Sequence, residues 1–133
     1  MTEYNAGRAL GVGGIFFRSA DPARLGDWYS KHLGFEVESW GTTRGTSFSP
    51  DRLPPTAFTV WSAFAADTEY FGETRQSYMI NLVVDDIDAA LANVAAGGAT
   101  VLEEREEHDF GRFAWFIDPD GNRVELWEPP EPE

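Results

Sequence analysis

Of the side chains able to do chemistry, Glu125 has the most informative setting. It stands in Arg123-Val124-Glu125-Leu126-Trp127, where alternate residues are apolar. Strand side chains have a period of two, so Val124 and Leu126 share one face while Arg123, Glu125 and Trp127 share the other. A carboxylate set between an arginine and a tryptophan has three uses open to it. Arg18 or Arg123 neutralises it as a structural ion pair, a cationic or hydrogen-donating ligand group meets it, or it serves as a catalytic general base with a raised pKa. Just upstream, Asp118-Pro119-Asp120-Gly121 is turn chemistry, with Pro presetting φ and Gly closing the turn, so Phe113–Trp127 reads as a hairpin.

The rest of the reactive inventory is sparse. The chain has two histidines, His32 and His108. His32 falls late in an expected helix, where an imidazole serves as a cation near the C-terminus or as the edge of an apolar stripe. His108 falls in an expected loop, Glu104–Gly111, as a surface residue or at a pocket mouth. There are no cysteines, which removes disulfides, thiolate catalysis and Cys-ligated zinc. Gly11-Val12-Gly13-Gly14 precedes an expected strand rather than a helix, so it is not a dinucleotide loop. No zinc-protease histidine pair, Walker loop or serine elbow is present.

A formal net charge of −13 opposes binding to nucleic acid, where cations must replace counterions on phosphate, and to an anionic membrane surface. No apolar run approaches the roughly 20 residues that span a bilayer. The start Met1-Thr2-Glu3-Tyr4-Asn5-Ala6-Gly7-Arg8 lacks an apolar leader core, so a cytoplasmic location is expected. The 133 residues suffice for one domain with one sizeable core. An aromatic content of 14% suits either a large core or an aromatic-lined cavity, and Trp61, Trp115 and Trp127 are core or stacking platforms accordingly.

The elements that must position Glu125 are legible from pattern. Gly13–Ser19 reads as a strand, with Ile15 and Phe17 on one face and Gly14, Phe16 and Arg18 on the other. Asp21-Pro22 starts a helix whose stripe is Leu25, Trp28, Tyr29, His32 and Leu33, with Gly34 as its stop. Phe35–Trp40 and Thr56–Phe64 alternate as strands, and a short strand is expected within Gly45–Phe48. Residues 65–76 read as a polar linker. Tyr78–Val84 is then a strand, Asp85-Asp86 caps a helix with the stripe Ile87, Ala90, Leu91, Val94 and Ala95, and Thr100–Glu103 is a further strand.

An offset of 65 residues sets Ile15 against Ile80 and Asp21 against Asp86. The chain therefore holds two copies of one unit, about residues 11–64 and 77–128, in a single domain of class α+β. An acidic, Pro-rich tail follows at 129–133. With a helix covering one face of each sheet, the two helix-free faces enclose a cup. Its lining is Phe16, Arg18, Thr59, Trp61, Met79, Asn81, Arg123, Glu125 and Trp127, a mixture of large apolar and few polar groups that suits a small molecule. Loops 41–55, 65–77 and 103–111 shape that cavity.

Three stretches, Phe16–Phe35, Ile80–Ala90 and Phe113–Trp127 with its Asp118-Pro119-Asp120-Gly121-Asn122 turn, resemble the glyoxalase / bleomycin-resistance / extradiol-dioxygenase superfamily, the vicinal oxygen chelate proteins. The resemblance covers roughly residues 11–128. It implies paired βαβββ modules forming a cupped, antiparallel-rich sheet, often with a second chain packed against the first. It also implies, in metal-dependent members, a divalent ion held by imidazole and carboxylate that polarises vicinal substrate oxygens. Carried over singly, the four ligand positions fall on Gly14, Thr59, Met79 and Glu125, and only Glu125 matches. A thioether is a poor ligand for hard cations. The expectation is therefore a homodimeric binder of a small aromatic or cationic molecule, with no cofactor. An alternative is a glyoxalase-like lyase, isomerase or dioxygenase that uses Glu125 with non-standard metal ligands or none. A structural or partner-binding module is the third reading.

Overall fold

The structure is a computed structural model that describes Gly7 and residues 9–133. Both helices begin where the caps place them. Helix α1 (Pro22–Leu33) opens on Asp21, whose side chain accepts from the Arg24 amide at 3.1 Å. It stops at Gly34, whose φ of 72° is left-handed backbone that glycine adopts without a Cβ penalty. Helix α2 (Ile87–Ala96) opens on Asp86, which accepts from the Ala89 amide at 3.0 Å. The 65-residue offset thus joins two real caps.

Strands β1 (Glu38–Trp40) and β2 (Thr43–Gly45) form a small antiparallel ribbon. The main sheet comprises β3 (Ile80–Val83), β4 (Thr100–His108), β5 (Gly111–Ile117) and β6 (Arg123–Glu128), in the order β3-β6-β5-β4. Strand β3 runs parallel to β6, with Asn81 opposite Glu125; β5 runs antiparallel to it, with Trp115 opposite Glu125. With α2 crossing between β3 and β4, this is one complete βαβββ unit.

The two faces of that sheet differ as the alternation requires. Ala114, Phe116, Val124 and Leu126 turn towards the helices and are buried with Ile87, Leu91 and Val94 of α2 and Leu25 and Tyr29 of α1. Each large apolar side chain so buried contributes roughly 1.5–3 kcal/mol. The hairpin turn is tied into this core. Asp118 accepts from the amides of Asp120 and Asn122 at 3.0 Å each, and from the Tyr29 hydroxyl at 2.9 Å. The Trp28 indole donates to the Gly97 carbonyl at 2.9 Å, and His32 packs beside Trp28 and Gly97. His32 is therefore an edge of the stripe.

The first unit departs from expectation. Segments 13–19 and 56–64 join no ladder, and among the described residues the only regular strands before β3 are β1 and β2. Helix α1 packs against that short ribbon, with Gly26 beside Val37 and Arg44, and shares one core with α2. Alternation reveals that a segment has two unlike faces, not which edge it will pair with. Here no edge among the described residues takes these segments, and Phe16 and Trp61 stay 96% and 80% exposed. Three smaller differences follow. The strand expected in Gly45–Phe48 lies at Thr43–Gly45, β4 extends through the expected loop to His108, and Ala95 is exposed.

Candidate functional site

Glu125 projects from the helix-free face of β6 and is only 7% exposed. Of the uses left open by the sequence, the ion pair with Arg18 or Arg123 does not occur; among the described residues no cationic side chain forms a salt bridge with Glu125. Its partners are uncharged donors. Oε1 accepts from the Tyr70 hydroxyl at 2.5 Å and from the Trp115 indole at 3.1 Å. Oε2 accepts from the Asn81 amide at 2.6 Å. Strand register explains two of the three, since Asn81 and Trp115 flank Glu125 on the neighbouring strands.

The third donor comes from the expected linker. Residues 65–76 lie as a strap across the sheet rather than as a spacer between units. Tyr70 stacks on Phe64 with centroids 5.2 Å apart, and meets Trp115 edge-on at 6.0 Å. Burial, the hydrogen bond to Glu125 and the negative charges of Glu125 and Glu106 raise the Tyr70 pKa, against a smaller opposing pull from Arg123. The phenol therefore stays protonated and donates. The far end of the strap is clamped by Gln76, whose side-chain amide donates to the Arg123 carbonyl at 2.9 Å and accepts from the Arg123 amide at 2.6 Å. Gln76 so continues, with a side chain, the pairing that β3 gives β6 from Val124 onward.

Arg123 itself lies over the Trp115 ring, 5.2 Å from its centroid, and its Nε is buried without a hydrogen-bond partner. Trp127 extends the wall. Its indole donates to the Phe110 carbonyl at 2.8 Å, and its ring faces Phe113 in parallel and Phe58 edge-on. His108 hydrogen-bonds Glu106 at 2.9 Å and stacks on Phe110.

Of the residues expected to line a cup, the structure brings together Asn81, Arg123, Glu125 and Trp127. Met79 is half-buried just before β3. Phe16, Arg18, Thr59 and Trp61 are exposed on the unpaired segments and are not among the hydrogen-bond partners of Glu125. Tyr70 was not anticipated; the signal available was the aromatic cluster Phe64, Tyr70 and Phe71 in an otherwise polar stretch. An apolar cleft among Phe17, Tyr29, Phe35, Tyr78, Ile80 and Leu82, lined also by Arg123, does not include Glu125.

Residues 14–127 match a glyoxalase-like domain family. The chain belongs to that family. Solved structures of the glyoxalase-like fold align across most of both chains. TnmS3, an antibiotic binding protein from Streptomyces sp. CB03234, is 22% identical, with 84% of this chain and 89% of that one covered and a TM-score of 0.50. A member of the glyoxalase/bleomycin resistance protein/dioxygenase superfamily from Sphaerobacter thermophilus DSM 20745 is also 22% identical, with 91% and 98% covered and a TM-score of 0.50. TioX from Micromonospora sp. ML1 is 18% identical, with 83% and 91% covered and a TM-score of 0.50. These likenesses give the fold, α+β of the glyoxalase/bleomycin-resistance type. A search of curated proteins finds no match.

The metal centre of metal-dependent family members does not fit this donor set. Of the four ligand positions, Gly14 has no side chain, Thr59 is exposed and Met79 offers a thioether. Both oxygens of Glu125 are already engaged by neutral donors. Among the described residues, no group of three or more His, Cys, Asp or Glu side chains is placed to hold an ion. No helix among them is long and apolar enough to cross a membrane.

Proposed function

We propose that this glyoxalase-like protein binds a small aromatic or cationic molecule on the helix-free face of its sheet, with no metal. One observation carries the reading: a buried carboxylate that forms no salt bridge among the described residues, set in a wall of Trp115, Trp127, Phe113 and Tyr70. A negative charge in apolar surroundings is costly unless its hydrogen bonds are made. Here three uncharged donors satisfy its oxygens, and a ligand's cation or donor can meet the carboxylate on the same face. Such a wall also supplies cation–π attraction and stacking area.

Binding is favoured over catalysis for a chemical reason. Both oxygens of Glu125 already accept hydrogen bonds, three in all, so taking a proton from a substrate would require one of those donors to leave. A glyoxalase-like lyase, isomerase or dioxygenase would need Glu125 free to take a proton or bind an ion.

The working form is a homodimer in the cytoplasm. The free edge of β3 and the unpaired apolar segments 13–19 and 56–64 support this, since a second copy can take up those segments and supply the missing cup wall with its own Phe16 and Trp61. The net charge of −13 supports a partner that is neither nucleic acid nor an anionic membrane.

The test is equilibrium binding of a panel of planar aromatic amines, phenols and carboxylates to the wild type and to Glu125→Gln. The reading expects amines or phenols to bind the wild type and to lose about ten-fold or more in affinity on substitution, about 1.4 kcal/mol. Binding that ignores the substitution would remove Glu125 from the site.

A further inference from the structure

The strap that covers Glu125 is itself a statement about what the carboxylate accepts. Tyr70 is a phenol bound in an aromatic slot. Its ring lies nearly parallel to Phe64, at 16°, and nearly perpendicular to Trp115, at 87°. Its hydroxyl donates to Oε1 at the slot floor. Face contact on one side, edge contact on another and a charged acceptor at the tip are the elements by which a protein holds a free aryl ligand.

The strap's other anchors are few. Its turn places Gly72, at a φ of 71°, against the Arg123 guanidinium, and Gln76 clamps the C-terminal end. Towards the other end, Phe64 is 48% exposed and belongs to a segment with no ladder. Asp67, Glu69, Glu73 and Arg75 all face solvent. The side chain of Tyr70 can therefore leave the slot without breaking a strand or a core contact.

We infer that Tyr70 is an internal occupant of the ligand subsite, and that the molecule displacing it is an aryl ring bearing a hydrogen-bond donor, hydroxyl or protonated amine, directed at Glu125. This rests on the small-molecule reading and narrows it. Because the tethered phenol competes at a high effective concentration, it sets a threshold that a ligand must exceed and excludes rings lacking a donor. Asn81 and Trp115 keep the carboxylate oriented during the exchange.

The test empties the slot and offers the missing side chain back. The probes are p-cresol, which is the tyrosine side chain itself, 4-methylbenzylammonium, which stays charged at neutral pH, and toluene as the ring without a donor. Binding is read from the methyl resonance of each probe in NMR titrations of wild type and Tyr70→Ala. Tyr70→Leu, which keeps an apolar anchor beside Phe64, carries the same comparison if the alanine variant does not fold. The expected result is p-cresol or 4-methylbenzylammonium bound at least about ten-fold tighter by the variant than by wild type. Toluene should gain little, and adding Glu125→Gln should reduce the gain, most for the ammonium probe, since the amide carbonyl still accepts but carries no charge. The stronger of the two donors tells a phenol site from an ammonium site.

Equal affinity of wild type and variant for p-cresol and 4-methylbenzylammonium, or equal gains for toluene and p-cresol, would overturn the inference. The two readings fail separately. A variant that gains p-cresol in a protein whose wild type binds no aromatic compound would keep Tyr70 as slot occupant and remove the binding function. A wild type that binds aromatics with affinities unmoved by Tyr70 substitution would do the reverse.

Discussion

The Tyr70 hydroxyl donates to Glu125 Oε1 at 2.5 Å, although the two residues are 55 positions apart. This contact brings the segment between the two halves of the chain onto the face that carries the carboxylate. Its consequences for stability are direct. Glu125→Ala removes the acceptor shared by Tyr70, Trp115 and Asn81. Leaving a buried donor unpaired costs roughly 1–3 kcal/mol, and of the three the Trp115 indole is the one with least access to water. Chemical denaturation should show a loss of about 2 kcal/mol for Glu125→Ala, and a smaller loss for Glu125→Gln, whose carbonyl still accepts.

The turn at Asp118 gives a pH signature. Burial raises the Asp118 pKa above its ordinary 3.8, while hydrogen bonds from Asn122, Tyr29 and Asp120 pull it back. A folded-state pKa above the unfolded one means that the native state binds more protons in the interval between them. The Asp118 contribution to stability is then greatest below 3.8 and declines as pH rises through the folded pKa. Tyr29→Phe deletes one of the lowering bonds. Carboxyl-carbon NMR should find Asp118 titrating above 3.8 in the wild type and higher still in Tyr29→Phe. A downward movement would contradict the assignment.

Gly111 starts β5 with a φ of 131°, and a Cβ there would stand 2.4 Å from the Glu128 carbonyl oxygen and 2.5 Å from the Trp127 indole nitrogen. One obstacle is backbone and cannot swing away. Gly111→Ala is expected to lose about 2 kcal/mol or more and to disturb the Trp127 wall. Thermal denaturation and the near-ultraviolet tryptophan signal report the two effects together.

The unpaired segments make a prediction about assembly. Phe16→Asp combined with Trp61→Glu places charge on the apolar surfaces that a second copy would cover. Analytical ultracentrifugation should find the wild type dimeric and the double variant monomeric at micromolar concentration. Near-unchanged far-ultraviolet circular dichroism would show that α1, α2 and the main sheet survive, because neither residue belongs to their core.

Local chemistry makes the second unit readable in the sequence. Asp86, the Ile87–Val94 stripe and the Asp118–Gly121 turn each fix their own backbone, and the strand alternation assigns Val124 and Leu126 to the core and Glu125 to the opposite face. In the first unit, the Asp21 cap and Gly34 stop are equally local and equally plain. The segments around Phe16 and Trp61 are not, because a strand is defined by its partner and no residue in those segments names one. The site divides along the same line. Asn81 and Trp115 reach Glu125 through ladder register. Tyr70 reaches it through the tertiary path of a strap, and polar composition around Tyr70 disguised that path as a linker.

The central claim is that Glu125 is a ligand-facing carboxylate and not the remnant of a working metal site. Elemental analysis of protein purified without chelator, wild type beside Glu125→Ala, tests it most directly. The expected result is divalent metal far below one equivalent per chain and the same in both proteins. One equivalent in the wild type that disappears in Glu125→Ala would contradict it.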